Sequence, residues 1–251
     1  MQHLIVNADD FGISREVNYA ICKCFQRRII SSTTLMVNMP YTEDAVRLAK
    51  ICGFEDRVGI HLNLTSGYPL TMPIRRCPRF CDRKGRFNAA FEKNTWTRLF
   101  ISRKEAQAVR EEIEAQLRRY IEFGLADHHL DSHHHVHTDR SIWKVLSPLI
   151  PKYNIRSVRL TRNLYGKISL PKAIYKYWYN RTLSRSGVKT TDYFGSYKDF
   201  RKRADRLPRQ KLTEIMVHPT VDSRGNLVDG KISMEKEKAF FDSLNAVYEF
   251  Y

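Results

Sequence analysis

QHLIVNADDFGISREVNYAI, residues 2–21, decides how the fold is read. Residues 2–7 form an apolar run of strand length, NADDFG is a polar turn, and a helical pattern runs from Ser14 to about Ile29. The buried face of that helix is predicted to use Val17, Ala20, Ile21, Cys24 and Phe25. Outward from this unit the alternation continues. A strand is expected near Thr33–Val37, a helix from Thr42 to about Ile51, and a strand near Val58–Leu64. Ser102 and Glu105 form a capping box at the start of a helix that presents Ala106, Val109, Ile113, Leu117 and Tyr120 to the core, and Gly124 stops it. Strands near His128–Leu130, Ile155–Leu160, Thr191–Phe194 and Glu214–Val217 follow, with helices from about Ser141, Pro171 and Ser233, the last running almost to the end. Strands alternating with helices imply an α/β fold whose parallel sheet is covered on both faces, open or closed into a barrel. No linker divides the chain, so one domain over residues 1–251 is expected.

Composition sets the outer limits. The chain has 251 residues, 42% hydrophobic and 12% aromatic, with 11 Gly and 9 Pro, which excludes a disordered or collagen-like polypeptide. Every window of twenty residues carries charge, so no membrane span is read and no membrane partner is expected. Met1 leads straight into a strand-like segment without the features of a secretion signal, so a cytoplasmic location is expected. Five cysteines are too few, and odd in number, for a disulfide framework, and Cys77 and Cys81 lack a second Cys/His pair at zinc-finger spacing.

Charge is unevenly distributed. The formal net charge is +16, of which residues 151–211 carry +14, from 17 Lys and Arg against Asp192, Asp199 and Asp205. Such a surplus suits nucleic acid, an anionic surface, a phosphorylated substrate or simple solubility. Within it, Ile174, Tyr177, Trp178 and Arg181 recur at helical spacing, which predicts a stripe facing the core with the basic residues outside. Residues 65–100 are rich in Pro, Gly, Arg and Asn without periodicity, and a stretch of that length is expected beside the site as a lid or binding loop.

In α/β sheets and barrels the working site lies at the carboxyl ends of the strands. There the sequence places Asn7, Asp9 and Asp10, then His61 and Asn63, then Asp131, His133, His135 and His137, and finally His218. The segment HHLDSHHHVH, residues 128–137, holds six of the nine histidines. In an extended segment Asp131, His133, His135 and His137 would share one face, and one or two of them could bind a common ion. Imidazoles with a carboxylate suit zinc or a similar divalent cation with positions left for water. The paired acids could cap the next helix, or divide labour between binding metal and taking a proton. His218 precedes Pro219, which fixes the turn, and a histidine there can protonate a leaving group. Arg159 sits in an apolar strand, so a buried carboxylate partner is expected, with Asp9 or Asp131 as candidates.

NADDFG, GIHLNLT, HLDSHHHVH and the late His218–Pro219 pair, in that order over residues 7–219, resemble the YdjC-like family of carbohydrate deacetylases, which includes chitooligosaccharide deacetylases. The resemblance implies a distorted (β/α) TIM-like barrel, incompletely closed at the C-terminus if a final strand is lacking. It implies one divalent metal ion held by Asp10, His61 and His133, with Asp9 as catalytic base and His218 as acid. Asp131, His135, His137, Arg159 and Asn63 would then contact the substrate or support those groups. Family resemblance points to magnesium, whereas the chemistry of two imidazoles and a carboxylate favours zinc or another transition metal. The implied substrate is an acetylated amino-sugar oligosaccharide, with a phosphorylated sugar suggested by the basic region, and a homodimer is compatible with the sequence. Two other readings compete. One is a metal-dependent phosphoesterase or nuclease, although the amino-terminal acids lack the His-x-His pair common in such enzymes; the other is a basic nucleic-acid-binding protein with a structural metal site.

Overall fold

The computed structural model describes residues 1–88, 90–166 and 168–251. Ala89, in the expected lid stretch, and Lys167, in the basic stretch, lie outside the described residues. The strands are β1 (Gln2–Phe11), β2 (Ser32–Leu35), β3 (Val58–Leu62), β4 (His129–Ser132), β5 (Ser157–Val158), β6 (Tyr193–Ser196), β7 (Leu212–Val217), β8 (Pro219–Val221), β9 (Leu227–Asp229), β10 (Ile232–Ser233) and β11 (Ala246–Tyr248). Seven of them form a parallel path in the order β5-β4-β3-β2-β1-β7-β6, and β11 adds to β1. β1 is central, and its middle is enclosed: Leu4, Ile5, Val6 and Ala8 have no exposed surface. That is why an uninterrupted apolar run, without alternation, makes this strand.

Helices cover the sheet between successive strands. Arg15–Gln26 starts at Ser14, whose side chain accepts from the Val17 N–H. Arg103–Glu122 carries the expected capping box, with the Ser102 and Glu105 side chains each bonded to the other's backbone N–H, and it ends at Gly124 in the left-handed region. The curled sheet is an open barrel whose edges are β5 and β6. Across that opening the N–H groups of Asn163 and Leu164 reach the Phe194 carbonyl at 3.1 and 3.2 Å.

Three sequence expectations change, besides the turn expected at NADDFG, through which β1 continues to Phe11 in its pairing with β2. The last helix covers only Met234–Ser243; Asn245 then takes a positive φ of 50° and the chain becomes β11. β2 begins opposite Asn7, so residues 2–4 of β1 project beyond it, and β11 takes up their free ladder groups. The second change is the small antiparallel sheet β10-β9-β8, which packs on the helix Arg15–Gln26. Its turn residues, Asp222 and Gly225 in VDSRGNLVDG, were available signals of a hairpin. Third, in the helix Leu170–Arg185 the core side is Tyr179 and Leu183, while Ile174, Tyr177, Trp178 and Arg181 face solvent. Two apolar sets share that helix, and the register of the buried one could not be told from spacing alone.

Candidate metal centre

Asp9 and Asp10 are consecutive, and in a regular strand they would point to opposite faces. The pairing of β1 with β2 shifts between Ala8 and Phe11, and Asp10 adopts φ 68°. This irregularity turns the second carboxylate back toward the strand ends. Gly12, at φ 95°, completes the turn, and its N–H donates to Asn18 Oδ1 at 2.8 Å. Asp10 Oδ1 then lies 3.2 Å from His61 Nε2 and 2.7 Å from His133 Nδ1. These three residues each offer a ligand atom within 4.8 Å of the others. One carboxylate oxygen and two ring nitrogens suit a transition-metal ion and leave positions for water.

The register of β3 against β4 sets His61 beside Asp131, and His61 Nδ1 lies 2.7 Å from Asp131 Oδ1. Thr34 Oγ1 donates to Asp131 Oδ2 at 3.1 Å and accepts from Asn7 Nδ2 at 3.2 Å. A carboxylate behind the imidazole fixes its orientation and leaves Nε2 toward Asp10. Burial opposes a charge on His61, but Asp131, Asp10 and Asp9 raise its pKa to about 10. The pocket therefore favours positive charge, which a divalent cation supplies as well as a proton does.

Arg159 lies wholly buried beneath this layer. Its Nη1 and Nη2 donate to Asp9 Oδ2 and Oδ1, both at 2.7 Å, its Nη1 lies 2.6 Å from Asp131 Oδ2, and its Nε donates to Glu214 Oε1 at 2.5 Å. The face of Phe194 lies 4.8 Å from the guanidinium. Both expected carboxylate partners are present, and Glu214 is a third that sequence reasoning missed. Its signal was an acid inside the apolar strand TEIMV, a residue type almost never fully buried unless paired. Burial tends to raise the Asp9 pKa, but Arg159 holds it well below the usual carboxylate range. Burial likewise opposes ionisation of Asp10, and its bonds to His133 and His61 keep that pKa low. Two further triads, Asp9–His61–Asp131 and His129–Asp131–Glu214, also have ligand spacing. Their acids already share the Arg159 guanidinium, which supplies the positive charge there.

The histidine run does not stay extended. β4 ends at Ser132, and residues 133–138 form a tight helical turn in which His134 and His135 have φ of 52° and 57°. His133, His135 and His137 therefore do not share a face with Asp131, and of the three only His133 meets Asp10. His137 is buried, donates from Nε2 to the Arg159 carbonyl at 3.1 Å and pairs through Nδ1 with Ser132 Oγ at 2.6 Å. Burial pushes its pKa down to about 3, so it is a neutral strut between β4 and β5. His135 stands edge-on to Phe194 at 5.7 Å, and burial and Arg159 hold its pKa well below the usual imidazole range. Asn63 accepts from the N–H groups of Thr65 and Ser66 and donates to Asn38 Oδ1 and the Ser66 carbonyl. Its side chain organises the start of the 65–100 segment.

His218 is exposed on the bend between β7 and β8, and its charge acts on Asp9. Its Nδ1 lies 3.9 Å from Asp229 Oδ1 on β9. Asp229 is a second group missed in the sequence, because only the unforeseen small sheet brings it there.

Comparisons with known proteins place these features in a family. A carbohydrate deacetylase of Halalkalibacterium halodurans is 39% identical over 216 residues, covering 86% of this chain and 84% of that protein. A chitooligosaccharide deacetylase of Proteus mirabilis is 33% identical over 231 residues, covering 87% and 82%. A protein of Enterococcus faecalis V583, provisionally assigned to cellobiose-phosphate cleavage, has a crystal structure that superposes with a TM-score of 0.74 at 23% identity. That likeness covers 100% of this chain and 97% of the other, and it concerns the fold. The YdjC-like protein family matches residues 3–246, and the chain belongs to it.

Proposed function

We propose that this chain is a metal-dependent hydrolase that removes N-acetyl groups from oligosaccharides containing N-acetylglucosamine. The observation that carries the proposal is the meeting of ligand atoms of Asp10, His61 and His133 within 4.8 Å of one another, with Asp9 next to Asp10 on β1. Deacetylase relatives that the chain matches over 82% to 84% of their length support the substrate class.

Asp10, His61 and His133 would hold the ion. A divalent cation at such a site acidifies water and polarises an acetamide carbonyl. Asp9 accepts the proton of the attacking water. Arg159 grips both of its oxygens, which fixes its direction and lowers its basicity, so Asp9 suits a water already made acidic. His218, at the rim and next to Asp229, protonates the departing sugar nitrogen, and acetate and the free amine leave. The donor set favours zinc or another transition metal, while family resemblance favours magnesium.

A phosphorylated sugar fits the basic rim. Lys176 Nζ donates to the Arg162 carbonyl at 2.9 Å, and burial together with Lys172 and Arg162 lowers its pKa to about 8, a concentration of cations that an anionic group would relieve. The test is release of acetate from short N-acetylglucosamine oligomers, neutral and phosphorylated, beside release of phosphate from phosphoesters. Acetate release, fastest on the phosphorylated oligomers and sensitive to salt there, is expected. Phosphoester cleavage without acetate release would refute the reading.

A further inference from the structure

The helix Leu170–Arg185 buries Tyr179 and Leu183 and turns a second apolar set outward. Leu170, Ile174, Tyr177 and Trp178 are 46% to 71% exposed. Leu170, Ile174 and Trp178 line an apolar groove closed on one side by Arg140. Arg140 in turn lies over the ring of Phe100, which is exposed with Trp96 one turn earlier on its own short helix. Arg140 thus links two exposed apolar patches on separate elements.

The surroundings of the helix face are rich in cations, and Asp139, which precedes Arg140, is buried and held by Arg98 at 2.7 Å. From Arg140 to Thr191 the chain contains twelve Lys and Arg and no Asp or Glu. Lys172, Arg181 and Arg185 flank the stripe on the helix itself, and all three are exposed. The face also stands next to the metal-site loop: the Tyr175 hydroxyl donates to the Thr138 carbonyl, at the end of the turn that carries His133.

We propose that this face docks on an anionic lipid surface, with Leu170, Ile174, Trp178 and Phe100 entering the headgroup boundary and the Lys and Arg side chains meeting lipid phosphates. Bulky aliphatic and aromatic side chains ringed by cations are the composition of helices that lie in a membrane interface. A second copy of the chain fits less well, because a two-fold contact would set this basic rim against itself. Nucleic acid would use the cations and rings but leave Leu170 and Ile174 without a partner. The sequence expectation of no membrane partner rested on the lack of a spanning segment, and no described helix is long and apolar enough to cross a membrane. Interfacial docking requires none.

The experiment is co-sedimentation of the full chain with vesicles containing phosphatidylglycerol and with pure phosphatidylcholine vesicles, at low and high salt. Ile174→Glu and the double variant Ile174→Glu/Trp178→Glu are compared with the parent chain, with thermal unfolding as the check on folding. Expected are salt-sensitive binding to the anionic vesicles only, at least about tenfold weaker binding by the double variant, and an unchanged unfolding midpoint. The proposal is overturned by absence of binding to anionic vesicles, by equal binding to neutral ones, or by variants that bind as the parent does. It is equally overturned if the substitutions instead dissolve a dimer or abolish a tighter association with random oligonucleotides.

Discussion

Neighbouring carboxylates receive different work here from one backbone torsion. Asp10 at φ 68° faces the two imidazoles, whereas Asp9 stays in strand geometry and takes both Nη atoms of Arg159. Asp9→Asn should lower the rate of acetate release by about 10²–10⁴-fold while bound metal, measured by elemental analysis, stays at the parent level. Near-full turnover in that variant would remove Asp9 from the role of base. Glu237 supplies a prediction on stability. It is fully buried, neither carboxyl oxygen has a hydrogen-bond partner among the described residues, and burial and Asp229 raise its pKa from 4.5 to about 9. The unfolded chain releases this proton above about 4.5 and the fold holds it to about 9, so rising pH across that window favours unfolding. Glu237→Gln should flatten that dependence and stabilise the fold at pH 8 by about 1–3 kcal/mol, read from unfolding midpoints across pH. An unchanged pH slope would contradict the assignment.

Among the elements, those with strong local signals were legible in the sequence and those made by tertiary context were not. The start of the first strand, the capping box at Ser102 and the helix stop at Gly124 stand where residue chemistry puts them, whereas the strand runs on through the expected turn to Phe11. The histidine run deceived because period-two spacing presumes an extended backbone, and two left-handed residues leave only His133 facing Asp10. Glu112 and Gln116 are instructive in the same way: on an amphipathic helix they look solvent-facing, yet both are fully buried. Glu112 accepts from the N–H groups of Leu70 and Thr71 and from the Thr71 hydroxyl, and Gln116 bonds both backbone groups of Asn63. They fasten the 65–100 segment where it leaves the site-bearing end of β3. Glu112→Ala should cost about 1–3 kcal/mol by orphaning those donors and should raise KM more than it lowers kcat. A variant with parent stability and KM would show that the fastening is not needed.

Taken whole, the molecule gathers acidic side chains beside the carboxyl ends of its central strands and concentrates its positive charge in one stretch of sequence, residues 151–211. Asp9, Asp10, Asp131 and Glu214 come from β1, β4 and β7, and the guanidinium of Arg159, which follows β5, lies among Asp9, Asp131 and Glu214. All but Glu214 were singled out in the sequence as polar residues at or within an apolar strand. Their convergence depended on strand order, which brings β1 between β2 and β7 and cannot be read from any one segment. The open seam between β5 and β6 and the addition of β11 to β1 are likewise properties of the assembled sheet. The central claim, that Asp10, His61 and His133 jointly hold one catalytic cation, is met most directly by chelating the protein and restoring single metals during an acetate-release assay, with bound metal counted at each step. The account predicts that turnover disappears with the chelator, returns as one ion per chain rebinds, and does not return when His133→Ala is treated in the same way. Full acetate release from metal-free protein, or rebinding by His133→Ala with parent affinity and turnover, would contradict it.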